Sequence, residues 1–483
     1  MFWRHILGYL PVNAIQGAVA FGTIILFTRL LLPEEYGRYA LVLATTQLVQ
    51  MSCFTWVHAG MARFYETARG EGRLGEHFAT GYAAVAVLCL LVGGAYVGAV
   101  EAAGLPAAVR SVMYFGLAVL LLRSVLMVGL ETHRAARNVR LFGTLESVYS
   151  VIGLGVALVL ILTTDLREAA PFVALAAAAL VCLAFDLPAV VRIARPTTPS
   201  FPELKRFFAY GLPVSMSLAL EFALAAADRY LIGWYLGEAA VGVYAASYAL
   251  ASRIVGIIFI WIAMAGLPLM IAALEREGRD AAVEVSRRNA EMIVLLAFPA
   301  AAGLAAIAAP LASVMVGAEF RASASTLVPW IVLAALMNGL MAHYVHNAFI
   351  LSRRTDLMAW MAAPPTVLNV VLNILLIPRM GLPGAVIATV ISYAVALVLA
   401  TWVGRRFFPI PLIPGTVLRG AVAAGVMGAV VWAAPGEAGV LALLLKIAAG
   451  VVVYVPLALL LDVGGCRGMV AGLRARWAAR GTG

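Results

Sequence analysis

Apolar runs long enough to cross a bilayer recur along the whole chain, and this constrains the fold more than any single motif. A membrane helix needs about 20 apolar residues. On that scale the 483-residue sequence predicts fourteen spans, at roughly 8–32, 37–60, 78–100, 108–130, 142–163, 170–191, 208–232, 239–272, 290–312, 326–350, 357–377, 383–403, 417–434 and 438–461. Hydrophobic residues make up 64% of the chain and charged residues 12%, against about 45–50% and about 25% in soluble domains. The fold class this predicts is an all-α polytopic membrane protein. The first run is too long for a cleaved signal peptide and lacks a small-residue cleavage site, so it is expected to be retained as a span.

The connections between these runs alternate in character. One set is basic, with Arg63, Arg69, Arg73, then Arg134, Arg137, Arg140, then Arg192, Arg195, Lys205 and Arg206, and so on to Arg405, Arg406 and Arg419. The termini, with Arg4 and with Arg467, Arg474, Arg476 and Arg480, belong to it, giving 24 of the 34 Lys and Arg. The other set is short and holds five: Arg38, Arg110, Arg167, Arg321 and Arg379. Positively charged loops stay on the cytoplasmic side, so both termini are expected there, in a multi-pass protein of the cell (inner, cytoplasmic) membrane. The net charge of +10 is accounted for by this topology rather than by nucleic-acid binding. The four cysteines show no Cys-x-x-Cys pairing, so neither a disulfide nor a metal site is expected.

One stretch occurs twice. Arg4 is followed seven residues later by Pro11 of Leu10-Pro11-Val12, and Arg206 by Pro213 of Leu212-Pro213-Val214. Each run then reaches an arginine, Arg29 or Arg229, and a Gly-x-Tyr-Ala, Gly37-Arg38-Tyr39-Ala40 or Gly242-Val243-Tyr244-Ala245. Repeats are the first thing to seek in a long chain. Six spans separate the copies, so both enter the membrane in the same direction, as two parallel six-helix repeats. Span 4, its basic loop and span 5 also resemble span 10, its loop and span 11. The domains expected are an N-terminal six-helix lobe over 1–195, a cytoplasmic linker over 196–207, a C-terminal six-helix lobe over 208–406, and two accessory helices with a basic tail over 407–483. Pro11 and Pro213 are expected to kink their helices, and 275–289 to form a short charged surface helix.

Charges inside spans mark the candidate site. An arginine or lysine at mid-bilayer costs roughly 2.5–3.5 kcal/mol on insertion scales and faces water or a partner. Five basic residues qualify: Arg29, Arg123, Arg229, Arg253 and Lys446. The acids are Glu146, Glu221 and Asp228, with Asp186 near the inner end of span 6. Structural ion pairs between helices compete with a hydrated central cavity as the explanation. The arginines suit an anion, because the guanidinium fork matches phosphate and carboxylate oxygens. The candidate substrate-binding set is Arg29, Arg123, Arg229, Arg253 and Asp228, and the ion-coupling candidates are Glu146, Glu221 and Asp228. His343 and His346, on one helix face, read as a packed pair rather than a metal site.

Phe27-Thr28-Arg29-Leu30-Leu31 with Pro33-Glu34-Glu35-Tyr36-Gly37-Arg38-Tyr39-Ala40 resembles the first-span signature of the oligosaccharide-lipid flippases, the polysaccharide-transporter branch of the MOP exporter superfamily. Asp228-Arg229-Tyr230-Leu231-Ile232-Gly233 resembles its seventh-span counterpart. Leu376-Ile377-Pro378 with Gly381-Leu382-Pro383-Gly384 resembles the connection between spans 11 and 12. The resemblance implies a V-shaped, MATE-like transporter of two lobes around a cationic cavity, with no covalent chemistry. It implies as substrate an undecaprenyl-pyrophosphate-linked oligosaccharide repeat unit, carried to the outer leaflet for O-antigen, capsule or exopolysaccharide assembly. Arg29, Asp228 and Arg229 fall where that family keeps polar or charged cavity residues. No cofactor is implied; H⁺, Na⁺ or the membrane potential would drive the cycle. The partners implied are the lipid-linked oligosaccharide, membrane lipids, and the polymerase and glycosyltransferases of the pathway, with no nucleic acid. Lipid II flipping is a sibling of this reading. A cation-coupled multidrug exporter of the same superfamily would favour acids in its cavity. A membrane glycosyltransferase, polymerase or ligase would need an external loop longer than the dozen or so residues available here.

Overall fold

The computed structural model describes residues 2–194, 197–354, 356–436 and 438–471, with the side chains of 2–10, 224, 225, 265 and 359 outside the description. Arg195, Pro196 and the tail arginines Arg474, Arg476 and Arg480 therefore lie outside the described residues. Among the described residues the chain is helical throughout, without a strand. The first helices are α1 (Phe2–Leu30), α2 (Pro33–Val49), α3 (Thr55–Gly70), α4 (Leu74–Ala102), α5 (Ala107–Ala135), α6 (Val139–Thr163), α7 (Ala170–Ala194) and α8 (Phe201–Leu236). They are followed by α9 (Glu238–Arg276), α10 (Arg279–Ala306), α11 (Ala308–Met315), α12 (Ala318–Leu340), α13 (Asn347–Leu351), α14 (Asp356–Met380), α15 (Leu382–Phe407), α16 (Pro414–Ala433) and α17 (Val440–Leu461). Thirteen are long and apolar enough to span a membrane, counting α2 with α3 and α12 with α13 as continuous; the bent pair within α8 makes fourteen. Each coincides with a predicted apolar run.

Three local expectations are corrected. The bend in α8, 43°, falls between Ala223 and Ala226, about three helical turns beyond Pro213. Proline at 213 is accommodated inside a continuous helix. The charged segment 275–289 is not a separate surface helix: α9 runs to Arg276, Glu277 and Gly278 make the turn, and α10 starts at Arg279. The ninth span ends at Ala306, and α11 begins after a one-residue break at Ile307. Among the described residues no connection between helices exceeds six residues.

Contacts among the described residues divide the chain into two compact units, Met1–Gly242 and Val243–Gly483. The border lies beyond the expected linker because α8 packs along α3. In lipid there is no hydrophobic drive for one helix to seek another, so close approach and hydrogen bonding decide partners. A Cβ at Gly60 would sit 2.6 Å from Phe207 Cα, and one at Gly211 would overlap the Trp56 carbonyl. One turn further along the pair, Ser215 Oγ donates to the Met51 carbonyl, within the π-helical turn Gln50–Phe54 that joins α2 to α3. The first unit's core gathers Phe54, Val57, Met61, Phe78 and Phe207. In the second unit α10 packs on α16 and α17 through Val294, Ala423 and Ala458.

The weaker internal echo has a geometric counterpart. At the end of α5, Asn138 N donates to His133 O (2.9 Å) and Arg137 N to Arg134 O (3.1 Å). At the end of α13, Arg354 N donates to Phe349 O (2.8 Å) and Arg353 N to Ile350 O (3.1 Å). Arg137 (φ 58°) and Arg353 (φ 57°) are both left-handed, a conformation that costs an L-residue roughly 1–2 kcal/mol. Two basic loops thus close with the same strained turn.

Candidate functional site

Of the charges expected inside spans, two meet directly. Arg123 lies in the middle of α5 and Glu146 two turns into α6, and Arg123 Nη2 donates to Glu146 Oε1 at 2.5 Å. Their side chains are 21% and 12% exposed, so the pair is neither sealed in the core nor in free solvent. Gln16 of α1 donates to the other carboxylate oxygen at 3.3 Å. The Arg123 guanidinium also rests 4.2 Å above the Tyr149 ring, one turn along α6 from Glu146. Carboxylate on one side and ring face on the other fix the fork in a single orientation. Its Nη1 is enclosed and has no hydrogen-bond partner among the described residues.

The next residue extends the polar seam. Ser124 Oγ donates to Gln50 Oε1 at 2.6 Å, at the start of the π-helical turn, and the Ser124 carbonyl meets His58 Nε2 at 3.0 Å. Gln50 Nε2 is buried and unmatched. Towards the end of α5, His133 bonds Asp186 of α7 at 2.6 Å, which accounts for that acid as an interhelical partner.

The remaining predicted residues fall elsewhere. Arg29 is exposed in the last turn of α1; Asp228 is fully buried and Arg229 half-buried in the second segment of α8. All three engage other residues. The neighbouring Tyr230 hydroxyl lies 3.0 Å from Thr45 of α2. Glu221 is exposed on α8 and Arg253 exposed on α9, in the second unit. Lys446 is buried and donates to the Trp432 carbonyl at 3.4 Å. His343 stacks on Phe259 with ring centroids 5.8 Å apart, and Asn373 Nδ2 donates to Asn369 Oδ1 at 2.9 Å, both fully buried in α14. No group of three or more His, Cys, Asp and Glu side chains gathers for a metal among the described residues.

Sequence reasoning missed Gln16, Gln50 and Tyr149. Amides in mid-span carried a signal for the first two; Tyr149 had none beyond its spacing from Glu146.

The signature after the first span has a structural use. Glu35 caps α2 by accepting from Leu32 N at 2.8 Å and takes a two-point contact from Arg167 at 2.8 and 2.9 Å. Arg38 lies 3.3 Å from both Glu168 and Glu238. The two Gly-x-Tyr-Ala copies meet at their glycines: a Cβ on Gly37 would overlap the Glu238 carbonyl, and one on Gly242 the Pro33 carbonyl. The repeated glycine is therefore what lets α2 and the first turn of α9 touch backbone to backbone.

This helical arrangement is shared with transporters. An inward closed structure of the lipid II flippase MurJ matches with a TM-score of 0.75 at 12% identity, covering 94% of this chain and 98% of that one. An inward-facing multidrug resistance MATE family transporter of the MOP superfamily matches at 0.65 and 16% identity, covering 81% and 93%. A MOP superfamily transporter from Pyrococcus furiosus gives 0.56 at 15% identity, covering 83% and 92%. At such identities the likeness is one of fold, so the chain is a multi-pass membrane protein with a MOP-superfamily fold. It belongs to the family described as polysaccharide biosynthesis protein, whose model matches residues 26–325. No curated protein matches it.

Proposed function

We propose that the chain is a flippase that carries an undecaprenyl-pyrophosphate-linked oligosaccharide repeat unit from the inner to the outer leaflet by alternating access, without covalent chemistry. Membership of a polysaccharide biosynthesis family supports the glycan, and likeness to lipid-carrier and drug transporters supports the mode of action. The observation that carries the reading is Arg123, a mid-span guanidinium held by Glu146 and Tyr149 with Nη1 unspent. In this proposal the pyrophosphate competes with Glu146 for the fork, with Arg29 and Arg229 of the same unit as further contacts. Glu146, Glu221 and Asp228 are the coupling candidates. Release of Glu146 when substrate takes Arg123 would leave a carboxylate ready to accept a proton or Na⁺, linking the two events. The membrane potential adds a bias of about 2.3 kcal/mol per charge per 100 mV. The protein would sit in the inner membrane with both termini cytoplasmic, supplied by glycosyltransferases and drained by a polymerase.

The test is flipping of a fluorescent undecaprenyl-pyrophosphate oligosaccharide in proteoliposomes, with lipid II in a parallel arm. The repeat unit should move faster than in empty liposomes and faster than lipid II. Arg123→Ala should slow it about 10- to 100-fold, the equivalent of one charge-assisted hydrogen bond. Equal rates in protein-containing and empty liposomes would overturn the proposal. Faster movement of lipid II would transfer it to the sibling reading.

A further inference from the structure

A groove of about 1040 Å³ opens between α9 and α10, wholly within the second unit. Its long wall is apolar and includes Ile257, Trp261, Leu269, Met292 and Leu296. Trp261 and Leu269 are 67% and 60% exposed, which a lipid-facing surface tolerates. Two features set it apart from a bare seam between helices. Asn289 lines the groove while 93% buried, and its Nδ2 has no partner. At the α9–α10 turn the rim carries Arg276 and Glu277, and Arg288 follows nine residues into α10.

The order of these groups along the groove defines a ligand. Counted from the turn, charged groups come first. Arg288 and the buried unmatched donor, Asn289, are adjacent in α10. Beyond them α10 lines the groove with Met292 and Leu296, roughly 10 Å from Asn289 to Leu296 at 1.5 Å per residue. A buried donor left unmatched costs about 1–3 kcal/mol, so an occupant should bring an acceptor to that depth. A glycerophospholipid does so: its ester carbonyls lie just below its phosphate, and its chains continue downward. A polyprenyl phosphate has no acceptor below its phosphate. The rim separates headgroups further. Arg288 is already shared with Glu284 at 3.1 Å, and Glu277 faces the groove, so guanidinium and carboxylate are balanced there. That suits a zwitterion with hydrogen-bonding ends of both signs more than a purely anionic head.

We propose that the α9–α10 groove is a binding site for a glycerophospholipid with a phosphate and a primary ammonium, of the phosphatidylethanolamine class. The phosphate lies against Arg276 and Arg288, the ammonium against Glu277, and an ester carbonyl accepts from Asn289 Nδ2. This resident lipid is separate from any transported substrate.

Native mass spectrometry of the full chain in detergent, titrated with phosphatidylethanolamine, phosphatidylcholine, phosphatidylglycerol and undecaprenyl phosphate, tests the proposal. Phosphatidylethanolamine should be retained about 5-fold better than phosphatidylcholine, the worth of one exposed charge contact. Glu277→Gln should erase that preference. Asn289→Ala should weaken both glycerophospholipids and leave undecaprenyl phosphate unchanged. Ile258→Trp, which fills the groove, should abolish the specific adduct. Equal or better retention of phosphatidylglycerol or undecaprenyl phosphate by the unaltered chain overturns the assignment, as does an adduct that survives Ile258→Trp in a protein with an unchanged helical spectrum.

Discussion

At the residue scale, the Arg123–Glu146 pair joins two side chains that composition and depth had placed in different roles. A partly buried pair costs desolvation on both sides, and its removal is asymmetric: deleting one partner strands the other charge. Glu146→Leu alone should therefore destabilise the chain by about 2 kcal/mol, a reduced form of the fully buried penalty because both groups retain some solvent. The double change Arg123→Met with Glu146→Leu should recover most of that loss. Thermal unfolding in detergent, followed by tryptophan fluorescence, measures it. If the double variant is no more stable than Glu146→Leu, the two groups are not coupled as the 2.5 Å contact requires. Flipping should be slowed about 10- to 100-fold in both variants, as in Arg123→Ala, since the fork is gone in one and misplaced in the other.

At the scale of elements, the repeated glycine governs how closely helices meet. Gly37 and Gly242 each face a carbonyl with no room for a Cβ, whereas a Cβ at Gly17 in α1 meets nothing within 4 Å. Gly37→Leu and Gly242→Leu should each cost about 1–3 kcal/mol, as over-packing does, and Gly17→Leu should stay within about 0.5 kcal/mol. Comparable melting temperatures for all three would show that α2 and the start of α9 do not need this approach. The same element scale explains the misplaced bend. Proline removes one donor and crowds the preceding turn, but neighbouring side chains in a bundle can satisfy what is freed. α8 instead breaks just before its buried Asp228.

At the scale of the whole molecule, the charge of the connections predicts the topology. Introduced cysteines at exposed Glu71 and Ala103 lie in consecutive connections on opposite sides of a span. In intact cells a membrane-impermeant maleimide should label Ala103→Cys strongly and Glu71→Cys weakly. The four native cysteines are buried or half-buried and should contribute little background. The reverse pattern would invert the orientation assigned from the basic loops. The contact-defined border at Gly242 is also a whole-molecule property. It depends on α8 finding α3, 151 residues apart at Gly60 and Gly211, and periodicity says nothing about that choice.

By itself the sequence determined the number of spans, their places along the chain, their alternation of charge and the duplication. All of these are local quantities: a bilayer sets the length and hydropathy of each segment independently of its neighbours. Only the tertiary structure decided that Arg123 meets Glu146, that Glu35 holds Arg167, that the signature glycine serves backbone contact, and that Asn289 lines a groove. Those outcomes depend on which face of each helix turns towards which partner. In lipid that choice rests on shape and hydrogen bonding rather than hydropathy, and it exists only once the helices are side by side.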